Sequence, residues 1–199
     1  AAKLSKLNTD NLDSSNIVVN DDAQMEEGYT NVALFGIDSR SGELEKGTRT
    51  DCLIVASLNN ETKEVKMVSI YRDTVLKMSD PENPNDYKYR KATEAIFYYG
   101  PQSTMNMMNV NLDLKIDDYV MVNWSALIEI VDAVGGINIE ITEEERKWIN
   151  EYQKDTSRNT GKPYTELKSS GYVHLDGMMA TSYCRIRYTA GSDYKRTER

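Results

Sequence analysis

Two apolar runs joined by a short polar turn constrain this chain more than any other stretch. Cys52-Leu-Ile-Val-Ala-Ser-Leu58 is followed by Asn59-Asn60-Glu61-Thr62, and then by Val65-Lys-Met-Val-Ser-Ile-Tyr71. β-Branched runs on either side of an Asn-rich turn predict an antiparallel hairpin. A third run, Asn31-Val-Ala-Leu-Phe-Gly-Ile37, reads as a buried strand. Tyr119–Asn123 and the alternating Ile137–Ile141 read as two more strands.

Between them lie helical patterns. Lys91–Tyr99 and Pro101–Asn109 form one pair, the second opening on a proline whose missing N–H costs nothing there. Ser125–Val134 is amphipathic and stops at Gly135-Gly136. Thr142-Glu-Glu-Glu145 is a capping-box start, so the Glu143–Glu145 run is a helix N-terminal charge bias. Asp176–Cys184 reads as a short helix, with the lone His174 in the turn before it, and Pro81–Asp86 and residues 153–170 read as polar loops. This alternation predicts an α/β (α+β) fold, a mixed central β-sheet flanked by helices. Residues 1–28 read as a polar linker or a loosely docked N-terminal segment, and residues 29–199 as one domain.

Composition narrows the class. With 39% hydrophobic residues, 28% charged and 4 prolines among 199, the chain is neither disordered nor a disulfide scaffold. A formal net charge of −8 argues against nucleic acid as a partner, and there is no helix-turn-helix signal. The charge is uneven: residues 185–199 carry five basic and two acidic side chains, net +3, leaving −11 on the rest. Seven of the ten arginines fall in short segments beside aspartates: Arg40 near Asp38, Arg49 near Asp51, Arg72 beside Asp73, and Arg185, Arg187, Arg196 and Arg199 around Asp193. Arginine forks bind phosphate bidentately, and carboxylates among them can hold a hard cation, as a polyphosphate–metal complex requires. Structural Arg–Asp salt bridges fit the same composition, which leaves both readings open.

The motifs in these segments also occur in a particular order. A strand leads into Gly-Ile-Asp-Ser-Arg40, followed by Arg49-Thr-Asp51 and Val68-Ser-Ile-Tyr-Arg-Asp-Thr74. Val131-Asp-Ala-Val-Gly-Gly-Ile137 comes next, then Leu175-Asp-Gly177 and Tyr183-Cys-Arg-Ile-Arg187 with Asp193, Arg196 and Arg199. In this order the chain resembles the LytR-CpsA-Psr (LCP) family of Gram-positive cell-envelope proteins from about residue 31 to its end. The resemblance implies an LCP-type fold with an apolar lipid tunnel. It also implies an extracytoplasmic phosphotransferase, membrane-anchored through an N-terminal segment, with the soluble domain outside. Its partners would be a polyprenyl-pyrophosphate-linked glycopolymer (teichoic acid or capsular polysaccharide) and a peptidoglycan acceptor. Mg²⁺, or Mn²⁺ in its place, would be held by Asp38 and Asp51. The pyrophosphate would be bound by Arg40, Arg49, Arg72, Arg185, Arg187, Arg196 and Arg199. Arg72 and Arg187 would stabilise the charge of the leaving group; Asp73 and Asp193 are the candidates for general base, with orienting an arginine the other reading of each. A pyrophosphohydrolase and a non-catalytic lipid- or wall-polymer-binding module are the alternatives.

Tyr71 stands where the family most often has proline, and Thr93 where many members have asparagine. The family pattern continues past Arg199, so a C-terminally truncated domain is expected. Cys52 and Cys184 are compatible with a disulfide or with two thiols. Met105, Met107 and Met108 read as core or tunnel lining. Tyr87, Tyr89, Tyr98 and Tyr99 read as half-buried side chains, with a sugar-binding cleft the other reading.

Overall fold

Asn59 makes the first turn of the fold. Its side-chain oxygen accepts the backbone N–H groups of Glu61 and Thr62, both at 2.9 Å, and Lys63 takes the left-handed φ of 64° that closes the reversal. In the computed structural model, which describes residues 12–23, 27–37 and 48–189, this turn joins β2 (Thr50–Asn59) to β3 (Val65–Ile70). The pairing is antiparallel and runs from Leu58↔Val65 to Leu53↔Ile70. The expected buried strand is β1 (Tyr29–Ile37), whose Ala33, Phe35 and Ile37 enter the core at alternate positions.

The chain clusters into two compact units, Ala1–Gly36 with Glu45–Met121 and Ile37–Leu44 with Val122–Arg199. In the first, two strands follow β3 that sequence patterning does not announce: β4 (Val75–Asp80) and β5 (Asn83–Lys91), an antiparallel pair. The expected loop at Pro81–Asp86 is thus a tight reversal with β5 already begun at Asn83. The predicted helix from Lys91 is a 3-10 turn, Ala92–Glu94, running into α1 (Ala95–Tyr99). Next come α2 (Pro101–Leu112) and β6 (Asp118–Val122), which gives a four-stranded sheet in the order β3-β2-β1-β6.

Met105, Met107 and Met108 of α2 are buried, as expected for core. Asn111 of α2 caps the free edge of β4 like an extra strand. Its side-chain oxygen accepts the Lys77 N–H at 3.0 Å, and its NH₂ donates to the Lys77 carbonyl at 2.7 Å. The polar face of α2 also holds the segment near the N-terminus. Gln102 donates to the Asp13 carbonyl, Asn106 bonds the backbone at both Asn16 and Val18, and Asn20 donates to the Val110 carbonyl.

Three of the four tyrosines expected to be half-buried are exposed instead: Tyr87 (51%), Tyr89 (66%) and Tyr98 (42%). For Tyr87 and Tyr89 the reason is the unforeseen hairpin, whose other face packs on α2 and leaves theirs to solvent.

The second unit contains α3 (Trp124–Ala133), β7 (Ile137–Ile141), α4 (Glu143–Thr160), β8 (Gly171–Leu175) and α5 (Gly177–Cys184). Asn123 caps α3 and Asp176 caps α5, each accepting a backbone N–H three residues on. Gly135 and Gly136, at φ 88° and 80°, end α3 where a side chain would be strained. β7 and β8 pair antiparallel, so His174 is in a strand rather than a turn, with Nδ1 3.0 Å from the Asn138 side-chain oxygen. Helix α4 continues through the start of the expected 153–170 loop to a left-handed Gly161. The signal is hidden because part of its buried face is polar. Asn150 bonds both backbone groups of Leu167, and Gln153 donates to Asn150. Ile141, Ile149, Leu167, Leu175, Met179 and Ile186 close the core of this unit. No described helix is long and apolar enough to cross a membrane.

The capping box is as expected: Glu145 N–H donates to the Thr142 hydroxyl while the Glu145 carboxylate accepts the Thr142 N–H. Beside it, Arg146 forks onto both oxygens of Glu143, at 2.8 and 2.7 Å. That hydrogen bonding, aided by the positive charge, brings the Glu143 carboxyl down to about 2. Because the folded value is depressed, the contribution of Glu143 to stability is present above its unfolded pKa and is lost as pH falls through about 2. A carboxyl-carbon NMR titration is expected to place the Glu143 midpoint near 2 in the wild type, and Arg146→Gln to return it to the ordinary glutamate range.

Candidate functional site

The β2–β3 register builds the centre of the site. Extending it two residues beyond Leu53↔Ile70 sets Asp51 opposite Arg72, and there the Arg72 guanidinium hydrogen-bonds the Asp51 carboxylate. Arg72 is fixed at its backbone as well. The Tyr71 carbonyl accepts the Thr74 N–H at 2.9 Å, and the 3-10 turn clips this bend on the other side. There Thr93 donates to the Arg72 carbonyl (2.9 Å) and Ala92 to the Thr74 carbonyl (2.8 Å). The two side chains keep 39% and 46% of their surface open, so a ligand can reach both. An exposed ion pair contributes only about 0–1 kcal/mol, so exchanging Asp51 for an incoming phosphate costs the fold little.

Asp73 lies beside this pair and receives Lys91 Nζ at 2.7 Å. The hydrogen bond and charge of Lys91, with Arg72 adding less, hold its carboxyl below the usual aspartate range. A carboxylate stabilised in this way is a poorer proton acceptor. Lys91 is the site neighbour that motif reading passes over. It enters because β5 delivers it opposite Val75, next to the Arg72 bend. Arg49 is exposed immediately before β2.

In the second unit the two expected arginines differ. Arg185 caps α5, and its guanidinium is engaged on several sides: Nη2 to Asp155 at 2.7 Å, Nη1 to the Thr156 hydroxyl at 2.7 Å, and the face 4.4 Å from the Trp124 ring centre. Arg187, beyond the fully buried Ile186, is exposed. Asp38, Arg40, Asp193, Arg196 and Arg199 lie outside the described residues.

Cys52 and Cys184 are thiols rather than halves of a disulfide. Cys52 is surface-exposed as a residue, yet desolvation around its sulfur raises the thiol pKa, and the Asp51 charge adds to it. For a divalent metal, the Asp51 carboxylate supplies the hard oxygen that Mg²⁺ prefers, open to solvent and next to an arginine suited to phosphate. That donor chemistry fits Mg²⁺ bound partly through substrate oxygens.

The motif order and this geometry agree with a direct comparison: the LytR_cpsA_psr family profile matches residues 2–199. The chain belongs to the LytR_cpsA_psr family. Among its relatives is the polyisoprenyl-teichoic acid–peptidoglycan teichoic acid transferase TagU of Enterococcus faecalis, 34% identical over 84% of this chain and 49% of the relative. Among solved LCP structures, TagT bound to LI-WTA superposes with a TM-score of 0.60 at 28% identity, over 86% of this chain and 60% of the other. TagT with bound octaprenyl pyrophosphate lipid gives 0.58 at 26%, over 86% and 61%. These likenesses agree with the mixed α/β fold of the LCP domain. The chain spans about half the length of the curated relatives it matches.

Proposed function

We propose that this chain carries the donor site of an extracytoplasmic, membrane-anchored phosphotransferase. The enzyme would move a teichoic acid or capsular polysaccharide from a polyprenyl-pyrophosphate carrier to a peptidoglycan hydroxyl. The observation that carries this reading is the Asp51–Arg72 contact, an accessible carboxylate–guanidinium pair that the hairpin register positions. It is supported by TagU, a teichoic acid transferase by name, and by TagT, solved with octaprenyl pyrophosphate lipid.

In the reaction, the acceptor oxygen forms a bond to the phosphorus next to the polymer. The pyrophosphate P–O bond breaks, and polyprenyl phosphate leaves with the electron pair while the hydroxyl proton is lost. Such transfers are catalysed mainly by positioning and charge neutralisation. Arg72 and Arg187 would fork onto the leaving phosphate, with Arg40, Arg49, Arg196 and Arg199 around it. Arg185 would join them by exchanging Asp155 for phosphate, and otherwise it braces the segment that carries Arg187. Asp38 and Asp51 would hold Mg²⁺, which when bound draws charge from the phosphate oxygens. Asp73, committed to Lys91, anchors that lysine beside Arg72, which leaves Asp193 as the candidate base. The polyprenyl chain would run in an apolar tunnel of the sheet–helix core, where methionines such as Met105 and Met108 adapt to its shape.

Titrating geranyl pyrophosphate into the protein with MgCl₂ present tests the donor site. Wild type is expected to bind, and Arg72→Ala and Arg187→Ala each to weaken binding by about tenfold or more. Equal binding by all three would remove the assignment.

A further inference from the structure

The β4–β5 hairpin has one face that the fold does not bury and that meets the donor site only at Lys91. Residues directly opposite on paired strands share a face, so Val75 and Lys91, Lys77 and Tyr89, and Ser79 and Tyr87 form three successive rungs of it. Leu76 and Met78 point the other way and are buried. On the solvent face Tyr87 and Tyr89 are exposed, with ring centres 6.2 Å apart and planes at 89°. Lys77 Nζ stands 4.3 Å over the Tyr87 ring, and among the described residues it has no carboxylate partner. The hairpin's own acids, Asp80, Glu82 and Asp86, are at its tip, where Asp86 faces Lys88 at 3.6 Å.

The first rung adjoins the donor site, because Lys91 holds Asp73 next to Arg72. From there to the Tyr87 rung the strip extends four residues, about 13 Å. Its chemistry differs from that of the site it leaves. Arginine forks suit a doubly charged pyrophosphate, whereas lysine is a point charge that suits a singly charged phosphodiester. Flat tyrosine faces supply apolar contact for the C–H faces of sugars or polyols.

We propose that this face binds the anionic, phosphodiester-linked polymer of the donor as it emerges from the pyrophosphate site. The proposal rests on the donor-site reading above and names where the polymer goes. Lys77 neutralises a phosphodiester while Tyr89 and Tyr87 stack on the units beside it.

The test is calorimetric titration with a synthetic, lipid-free poly(glycerol phosphate) decamer at low salt, alongside geranyl pyrophosphate as a separate ligand. Wild type binds the decamer. The Tyr87→Ala/Tyr89→Ala pair and Lys77→Ala each weaken it by about tenfold, and Tyr87→Phe/Tyr89→Phe restores most of the binding. Raising NaCl weakens binding, as ion pairing requires. All three variants bind geranyl pyrophosphate like wild type and keep its melting temperature, since these side chains are at the surface. Absence of decamer binding by wild type would overturn the proposal, as would alanine variants that bind it normally. Equally tight binding of a neutral β-1,4-N-acetylglucosamine hexamer would overturn the choice of an anionic occupant. Decamer binding that depends on the tyrosines, without any geranyl pyrophosphate binding, would uphold the strip and refute the donor site.

Discussion

Gly177→Ala is expected to destabilise the protein by about 3 kcal/mol or more, at the upper end of what overpacking costs. α5 begins against the backbone of α3, and a Cβ on Gly177 would overlap the Ile128 carbonyl oxygen. The obstacle is backbone, so no side chain can swing aside. The Gly177 N–H also donates to the Asp132 carboxylate at 2.7 Å, which fixes the helix start where the overlap occurs. Alanine's higher helix propensity works in the opposite direction by about 1 kcal/mol, too little to offset the overlap. At roughly 2–4 °C per kcal/mol for a chain of this size, thermal unfolding should fall by about 6–12 °C. An unchanged or raised melting temperature would show that α3 and α5 do not pack as described. Asp132→Asn keeps an acceptor for the Gly177 N–H and should cost much less.

Arg72→Ala is expected to lower the rate of polymer transfer by about 100-fold or more, as removal of a charged donor from a developing oxyanion does. The melting temperature should move little, because the pair it breaks is exposed. Arg72→Lys should restore only part of the rate, since a point charge replaces a planar fork. Asp51→Asn separates two roles for its partner. If Asp51 serves only to orient Arg72, the amide oxygen still accepts its N–H groups and activity is largely kept. If the carboxylate also holds Mg²⁺, activity falls and the apparent metal requirement rises. Rates and MgCl₂ dependence measured on the three variants decide between these outcomes.

The hairpin was legible in the sequence because two apolar, β-branched runs flank Asn59, a turn former with a specific task. The residues at the centre of the site were legible as Arg–Asp motifs, whereas the register that joins Arg49-Thr-Asp51 to Tyr71-Arg-Asp73 comes from the structure. Other segments were opaque for physical reasons. β5 begins Asn-Pro-Asn-Asp and continues through Tyr87-Lys-Tyr-Arg90, so a polar reversal masks its start. α4 extends to Thr160 on a face that includes buried Asn150, Gln153 and Thr156, which carry no apolar period. The Val131–Ile137 and Leu175–Gly177 motifs were read for their likeness to a family, and the structure supplies their mechanics. Asp132 binds Gly177, and a Cβ on Gly136 would lie 2.6 Å from the Leu175 carbonyl oxygen. These contacts join segments about forty residues apart, so no local pattern could reveal them. The motifs that carry the arginines are chemical, whereas these two are architectural.

Transfer is read from the products formed when the protein meets a labelled polyprenyl-pyrophosphate-linked polymer, a peptidoglycan acceptor and MgCl₂. Polymer joined to the glycan through a new phosphodiester, polyprenyl phosphate released in equal amount, and loss of both products in Arg72→Ala are expected. Polymer released to water with none on peptidoglycan, or undiminished transfer by Arg72→Ala, would contradict transfer through this site.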